Sequence, residues 1–370
     1  MDVEWDEWAK RRPSRVILHL DSAAAGRMSW SVQRAVAEHM RRESVLGAYL
    51  AQAEASVVLE QGRADAAAML GLDPDGVAFV ESATAALAAV LSAWPLRTGD
   101  RVGVLPGEWG SNLAAFDQRG LEVVQVATDA GGVVDLDALD DVLSSGAFAV
   151  LHVCQVASHR ALVQPIREMA VRTRAAGVAL WVDAAQAIGH VDAAGADVVY
   201  GTGRKWLCGP RGVGLLGVAR QWWPRLDVRH HVLAASDEPT VRALESDDAH
   251  VAGRVGLAQA LREYYDDDPR VLWERLAEVG RMTRRALADL PGWRVVDPMD
   301  SGTAITALAP ALGQDVVAER ARLLAAGILT TASVPARAPR ELSSATLRLS
   351  PHVDLSLADL GAVRDALSPR

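Results

Sequence analysis

Between Val77 and Val218 the chain repeats one pattern: a short, unbroken apolar run, an amphipathic helical stretch, then another apolar run. The runs are Val77–Val80, Arg101–Leu105, Val123–Val126, Phe148–Val153, Val178–Val182, Asp197–Tyr200 and Val213–Val218. An antiparallel strand with one wet face alternates apolar and polar residues; a run without alternation belongs to a strand buried on both faces. Helices between such strands must cover those faces. The pattern predicts an α/β fold around a mainly parallel, seven-stranded sheet.

The flanks differ. Residues 1–15 form a mixed-charge arm with Trp5 and Trp8 three apart, able to share one helical face. VILHLDSAAAG follows, a strand over Val16–Leu20 and then small residues that let backbone come close to a neighbour or ligand. Residues 29–46 and 47–71 read as two helices. Beyond Trp222-Trp223-Pro224 the chain turns irregular, then gives helices over 251–265 and 270–289. Strand-like pieces at Arg294–Val296, Ile305–Leu308 and Thr346–Leu349, with helices at 314–326 and 356–367, suggest a smaller α+β unit. We expect a large domain over 16–247 and a small C-terminal domain over 248–370, with arm 1–15 packing on the latter.

Composition bounds the function. Of 370 residues half are hydrophobic, enough for a sizeable core. The net charge of −9, without a basic run, argues against nucleic acid. Cys154 and Cys208 make no disulfide framework and have no zinc spacing. The nine His show no metal spacing, and His230-His231 read as a solvated loop. No apolar run has membrane-spanning length, and the N-terminus has no secretory pattern, so a cytosolic protein is expected.

In an open α/β sheet, ligands bind beyond the carboxyl ends of the strands. Glu81-Ser82-Ala83-Thr84 follows the first strand and opens a helix: an anion site, or an ordinary cap by Ser82. Trp109, between Gly107 and Gly110, either presents a flat face to a planar ligand or belongs to the core. Cys154 to Arg160 is a polar cluster or a solvated loop. Asp183 ends a wholly apolar strand, where a carboxylate is costly to bury without a cationic partner; Gln186 follows one turn later. Thr202, Arg204 and Lys205 follow the next strand. Lys10 and Lys205 are the only lysines among 38 Lys and Arg, so 36 are Arg. An amine can lose its proton and act as nucleophile or base; a guanidinium cannot. Together these loops offer a phosphate cradle, a stacking face, a carboxylate and an amine. Pyridoxal phosphate requires that set: amine for its aldehyde, carboxylate for its ring nitrogen.

From about Leu18 to Ser350 the sequence resembles the class V aminotransferases, fold-type I pyridoxal-phosphate enzymes that include the cysteine desulfurases. LHLDSAAAG is similar to the family's first active-site turn and brings in Ala23. FVESATAAL is similar to its phosphate loop, which places Ala83 and Thr84 on the phosphate. Trp109 falls where a ring-stacking His is usual. VDAAQAIGH carries the V-D-x-x-Q segment, implying that Asp183 meets the pyridine nitrogen and Gln186 the ring hydroxyl. TGRKWLCGPRGVG matches the lysine segment, with Thr202 on the phosphate and Lys205 as the Schiff-base lysine. TLRLSPH matches a late motif in which Arg348 clamps the substrate carboxylate. The family implies a homodimer with active sites at the interface.

Departures narrow the chemistry. Arg204 replaces a usual His and could still meet the phosphate, and Ser158 replaces an Asn. Asp248 falls near a Thr that relatives offer to a partner subunit's phosphate, which puts that contact in doubt. Residues 330–345 hold no cysteine, whereas a desulfurase needs one there; Cys154 and Cys208 read as small buried residues. LPGEWGSNLAAF, VASHRALVQPI and LESDDAHVAGRVGLA resemble the ergothioneine-pathway lyases that cleave hercynylcysteine sulfoxide. That resemblance implies β-elimination from an amino-acid substrate. Ser158, His159, Arg160 and His250 become candidates at the leaving group, and Trp30 or Trp206 for a trimethylammonium, although core packing explains either Trp. Transamination, epimerisation, desulfination or a non-catalytic relative remain as alternatives. GVGLLG, residues 212–217, fits a dinucleotide motif with Asp237 as its acid, but it runs into a strand and Pro224 rather than a helix.

Overall fold

A computed structural model describes residues 3–146, 148–228 and 240–368. His230, His231 and Asp237 lie outside them. The large sheet has seven strands: β1 (Val77–Val80), β2 (Arg101–Val104), β3 (Glu122–Gln125), β4 (Val150–Cys154), β5 (Ala179–Asp183), β6 (Val198–Thr202) and β7 (Gly214–Val218). Their order is β1-β7-β6-β5-β4-β2-β3. Strands β3, β2, β4, β5 and β6 run parallel; β7 is antiparallel to both neighbours, β6 and β1. The one strand with polar, partly exposed residues, β3, is an edge, as expected where one side lacks a partner.

The sheet is buried on both faces, and alternate residues of one strand enter different cores. Leu180 and Val182 pack with Phe79, Val153, Val199 and Leu215. Ala179 and Trp181 pack with Ala78, Val150, Val198 and Leu216 on the other side. Each such large apolar side chain contributes about 1.5–3 kcal/mol by leaving water. This two-sided burial is why the strands read as unbroken apolar runs.

A second, four-stranded antiparallel sheet orders Thr331–Ser333, Thr346–Leu349, Thr306–Pro310 and Trp293–Val295. The first strand of the chain, Leu18–His19, pairs parallel with Ile328–Leu329 rather than with the large sheet. That places the following Asp21 beside Ser350, to which it is bridged. The expected helix over 47–71 is two, Ala48–Glu54 and Ser56–Leu70, interrupted at Ala55. In the arm, helix Val3–Lys10 buries both Trp5 and Trp8. Trp8 stacks on His352 at 4.5 Å between centroids, and Arg11 pairs with Asp267 at 2.6 Å. The GVGLLG stretch becomes β7, hydrogen-bonded on both sides, followed by a short 3₁₀ turn that contains Pro224. It opens no helix and makes no dinucleotide loop.

Candidate active site

The carboxyl ends of β1, β4, β5 and β6 converge on a cavity of about 300 Å³. Its walls include Ala23, Ala83, Thr84, Trp109, Ser158, Asp183, Gln186, Thr202, Arg204 and Lys205, all expected from the sequence, together with Ala24, Ser82, Asn112, Cys154 and Arg337.

Lys205 lies in the turn after β6. A tight backbone crossing holds it: the Gly26 N–H donates to the Arg204 carbonyl at 2.8 Å, and a Cβ on Gly26 would sit 2.3 Å from the Lys205 carbonyl oxygen. The small residues after the first strand serve this approach. Burial, reinforced by Arg204 and Arg348, lowers the Lys205 amine to about 7 against the opposing pull of Asp183. A substantial fraction is therefore neutral at physiological pH, as a nucleophile or base requires.

Asp183 ends β5, and its two oxygens have separate partners. Oδ1 accepts from the Ala185 N–H at 2.9 Å. Oδ2 accepts from Asn112 Nδ2 at 3.0 Å. Asn112 Nδ2 also donates to Glu108 Oε1 at 2.8 Å, which accepts from Cys154 Sγ at 3.1 Å as well. Glu108 Oε2 meets His152 Nδ1 at 2.9 Å, and His152 Nε2 lies 2.7 Å from the Tyr200 hydroxyl. Burial pushes the Glu108 carboxyl up, yet His152, Asn112 and Cys154 together hold it below the ordinary range. The sequence reading missed this buried network. Its one signal was Asn112 in the first helical turn after Trp109.

Cys154, read from the sequence as a small buried residue, is only partly buried and lines the cavity. Burial and the nearby Glu108 raise its thiol well above the usual value, so it is a poor thiolate. Gln186 is engaged at both ends, donating to the Ala23 carbonyl and accepting from Trp206 Nε1, each at 2.9 Å. Trp206 is core, stacked on His190 at 3.8 Å; Trp30 is exposed. Neither lines the cavity.

Four expected substrate residues do not reach the cavity wall. Arg348 is fully buried, pairs with Asp21 Oδ1 at 2.9 Å and donates to the Ser158 carbonyl at 2.6 Å. Thr331, its register partner in the small sheet, also donates to Asp21 Oδ1, at 2.7 Å. His159 Nε2 lies 3.0 Å from Glu341 Oε2, and Arg160 pairs with the other oxygen of the same carboxylate. One half-buried acid thus draws both away. His250 is exposed at the start of helix Val251–Asp266, as is Asp248 nearby.

The cavity's donor set suits pyridoxal phosphate. The amine of Lys205 and the carboxylate of Asp183 share one wall. The helix N-terminus at Ser82-Ala83-Thr84, with Thr202 and Arg204, forms an anion cradle. Trp109 supplies a flat face. Comparison with known proteins decides the family, for the class-V aminotransferase family matches residues 18–325. The chain belongs to that family. A probable hercynylcysteine sulfoxide lyase of Mycobacterium tuberculosis is 42% identical over 98% of this chain and 92% of its own length. A probable cysteine desulfurase of Methanothermobacter thermautotrophicus is 30% identical over 54% of this chain and 52% of its own. Among solved structures, the cysteine desulfurase CsdA of Escherichia coli superposes with TM-score 0.85 at 22% identity, covering 98% of this chain and 97% of its own. The cystine C-S lyase C-DES does so with TM-score 0.84 at 15% identity, covering 96% and 98%. The class-V aminotransferase fold is therefore that of fold-type I enzymes. This chain is a pyridoxal-phosphate-dependent carbon–sulfur lyase. Among the described residues no group of His, Cys, Asp and Glu could hold a metal ion, and no helix is long and apolar enough to cross a membrane.

Proposed function

We propose that this chain cleaves hercynylcysteine sulfoxide to a hercynine sulfenic acid, pyruvate and ammonia. When bound, pyridoxal phosphate supplies an electron sink for the pair released at the substrate α-carbon. Lys205 would hold the cofactor's aldehyde and then, displaced by the substrate amine, take the α-proton; an amine near pKa 7 is matched to that task. Asp183, kept in place by Asn112 and the Ala185 N–H, would face the ring nitrogen and keep it protonated. Thr84, Thr202 and Arg204 would bind the phosphate, Trp109 would cover the ring and Gln186 its hydroxyl. Arg348 would take the substrate α-carboxylate by exchanging Asp21 for it. The β C–S bond then breaks with its electrons going to sulfur, and the sulfenate takes up a proton. The remaining enamine takes up water and releases pyruvate and ammonia.

The observation that carries the reading is the buried amine of Lys205 with its lowered pKa, in a cavity without a loop cysteine over 330–345. The 42% identical relative supports the choice of substrate. Cofactor-loaded protein should release pyruvate from hercynylcysteine sulfoxide, and far less from cysteine or cystathionine. Keto acid formed without C–S cleavage would sink the reading.

A homodimer is part of the proposal. Val45, Tyr49, Leu50 and Val57 are apolar and exposed on the helices over 30–70. Such a patch calls for a cover, and a second copy would supply it and place Asp248 and His250 beside another cavity. Sedimentation should give twice the chain mass, and Tyr49→Glu with Val57→Glu should give the monomer. The two unpaired cysteines support a cytosolic setting.

A further inference from the structure

The segment before the late arginine brings a guanidinium into the cavity where the family's desulfurases need a thiol. Arg337 lies in the short 3₁₀ turn Pro335–Arg337 and lines the cavity. Its guanidinium carbon stands 5.6 Å from the centroid of Trp109. The other cavity arginine, Arg204, donates to the Ala24 carbonyl. The Arg337 guanidinium has no hydrogen-bond or ion-pair partner among the described residues, although the residue is half-buried. A cation withdrawn from water without a counter-charge is costly unless a ligand supplies one.

The position is built. Gly110 makes room for the turn, since a Cβ there would lie 2.1 Å from the Ala336 carbonyl oxygen. Gly107 does the same for Glu341, whose Oε2 would lie 2.8 Å from a Cβ. Glu341 then fastens the segment to His159 and Arg160. The glycines flanking Trp109 thus serve the approach of 335–341. Arg204 and Arg348 act on Lys205, whereas Arg337 feels Arg348 and Asp21. With the α-carboxylate assigned to Arg348, Arg337 is the cavity-lining guanidinium left for a second acid. Burial and Arg348 lower Arg337 to about 10, which leaves it cationic at neutral pH.

We infer that Arg337 binds a carboxylate on the leaving-group side of the sulfur and so selects substrates that carry a second acid there. The inference rests on the lyase reading, because hercynylcysteine sulfoxide has such a carboxylate on its histidine-derived half. The test uses cofactor-loaded protein and two sulfoxides, hercynylcysteine sulfoxide and its counterpart lacking only the hercynine carboxylate. Wild type should prefer the first by about 10- to 100-fold in kcat/KM, the range for a charged hydrogen-bonded contact. In Arg337→Gln the ratio should fall towards 1, chiefly through KM, and Arg337→Lys should restore part of it. Calorimetry with hercynine alone should show binding at least about tenfold weaker in Arg337→Gln, with the melting temperature confirming a folded variant. An unchanged ratio overturns the inference. So does an equal loss on both sulfoxides, which would assign Arg337 to the shared α-carboxylate. If neither sulfoxide yields pyruvate, the lyase reading falls, and hercynine binding alone decides on Arg337: weakened binding supports it, unchanged binding overturns it.

Discussion

The two halves of the cavity are built differently. On the side of the large sheet, Asp183, Gln186, Thr202 and Lys205 sit at or just after strand ends, and Asp183 and Gln186 are held by backbone groups and uncharged side chains. On the side of the small sheet, the charged groups are held by one another: Arg348 by Asp21, His159 and Arg160 by Glu341. Among the described residues lining the cavity, the Arg337 guanidinium is left over. A half built on strand ends can hold a constant cofactor. A half built from exchangeable ion pairs can be retuned for a substrate by moving one charge.

The largest effect should come from the first half. Lys205→Ala should lower turnover by about 10⁴-fold and abolish the visible absorbance of the loaded protein. An absorbing, active variant would break the assignment of Lys205. In the second half, Asp21→Ala leaves a fully buried Arg348 without its counter-charge. Removing one partner of a buried pair costs about 3–5 kcal/mol, so chemical denaturation of the cofactor-free protein should show a loss of that order. A loss below about 1 kcal/mol would mean that Arg348 is already free to receive substrate, as for weakly coupled pairs.

Asn112→Ala should act on the first half, through Asp183 and the Glu108 carboxylate that Asn112 also contacts. Losing one of two carboxylate hydrogen bonds should weaken cofactor binding about tenfold, read by the absorbance titration, with little change in substrate KM. An equal rise in KM would show that the two halves are coupled. The last effect is in pH dependence. Burial lowers both His190 and His352 to about 3, from 6.5. Between those values the unfolded chain binds protons that the folded chain refuses, so stability should fall as pH drops from 6.5 towards 3. Lys205, lowered from 10.5 to about 7, obeys the same sign: cofactor-free stability should rise as pH increases through that window. Urea midpoints across pH, with Lys205→Met removing only the alkaline rise, check both.

Much of the first half was readable before any coordinates. Asp183 and Lys205 end or follow unbroken apolar runs, and the cost of burying a charge there makes each conspicuous. The strands themselves differ from expectation by a residue or so at most ends. The Arg348 assignment named a residue correctly placed in the small sheet but not its buried pairing with Asp21, 327 positions away. His159 and Arg160 looked like cavity residues because a polar cluster after a strand carries no sign of a distant carboxylate that will engage it.

Periodicity and the expense of isolated charge, both local properties, were enough to determine the α/β sheet, the amine and the carboxylate. Which arginine is paired and which is left facing the cavity was decided only by tertiary structure. That choice depends on Asp21 and Glu341 arriving from remote segments, and charge pairing across hundreds of residues leaves no period in the chain.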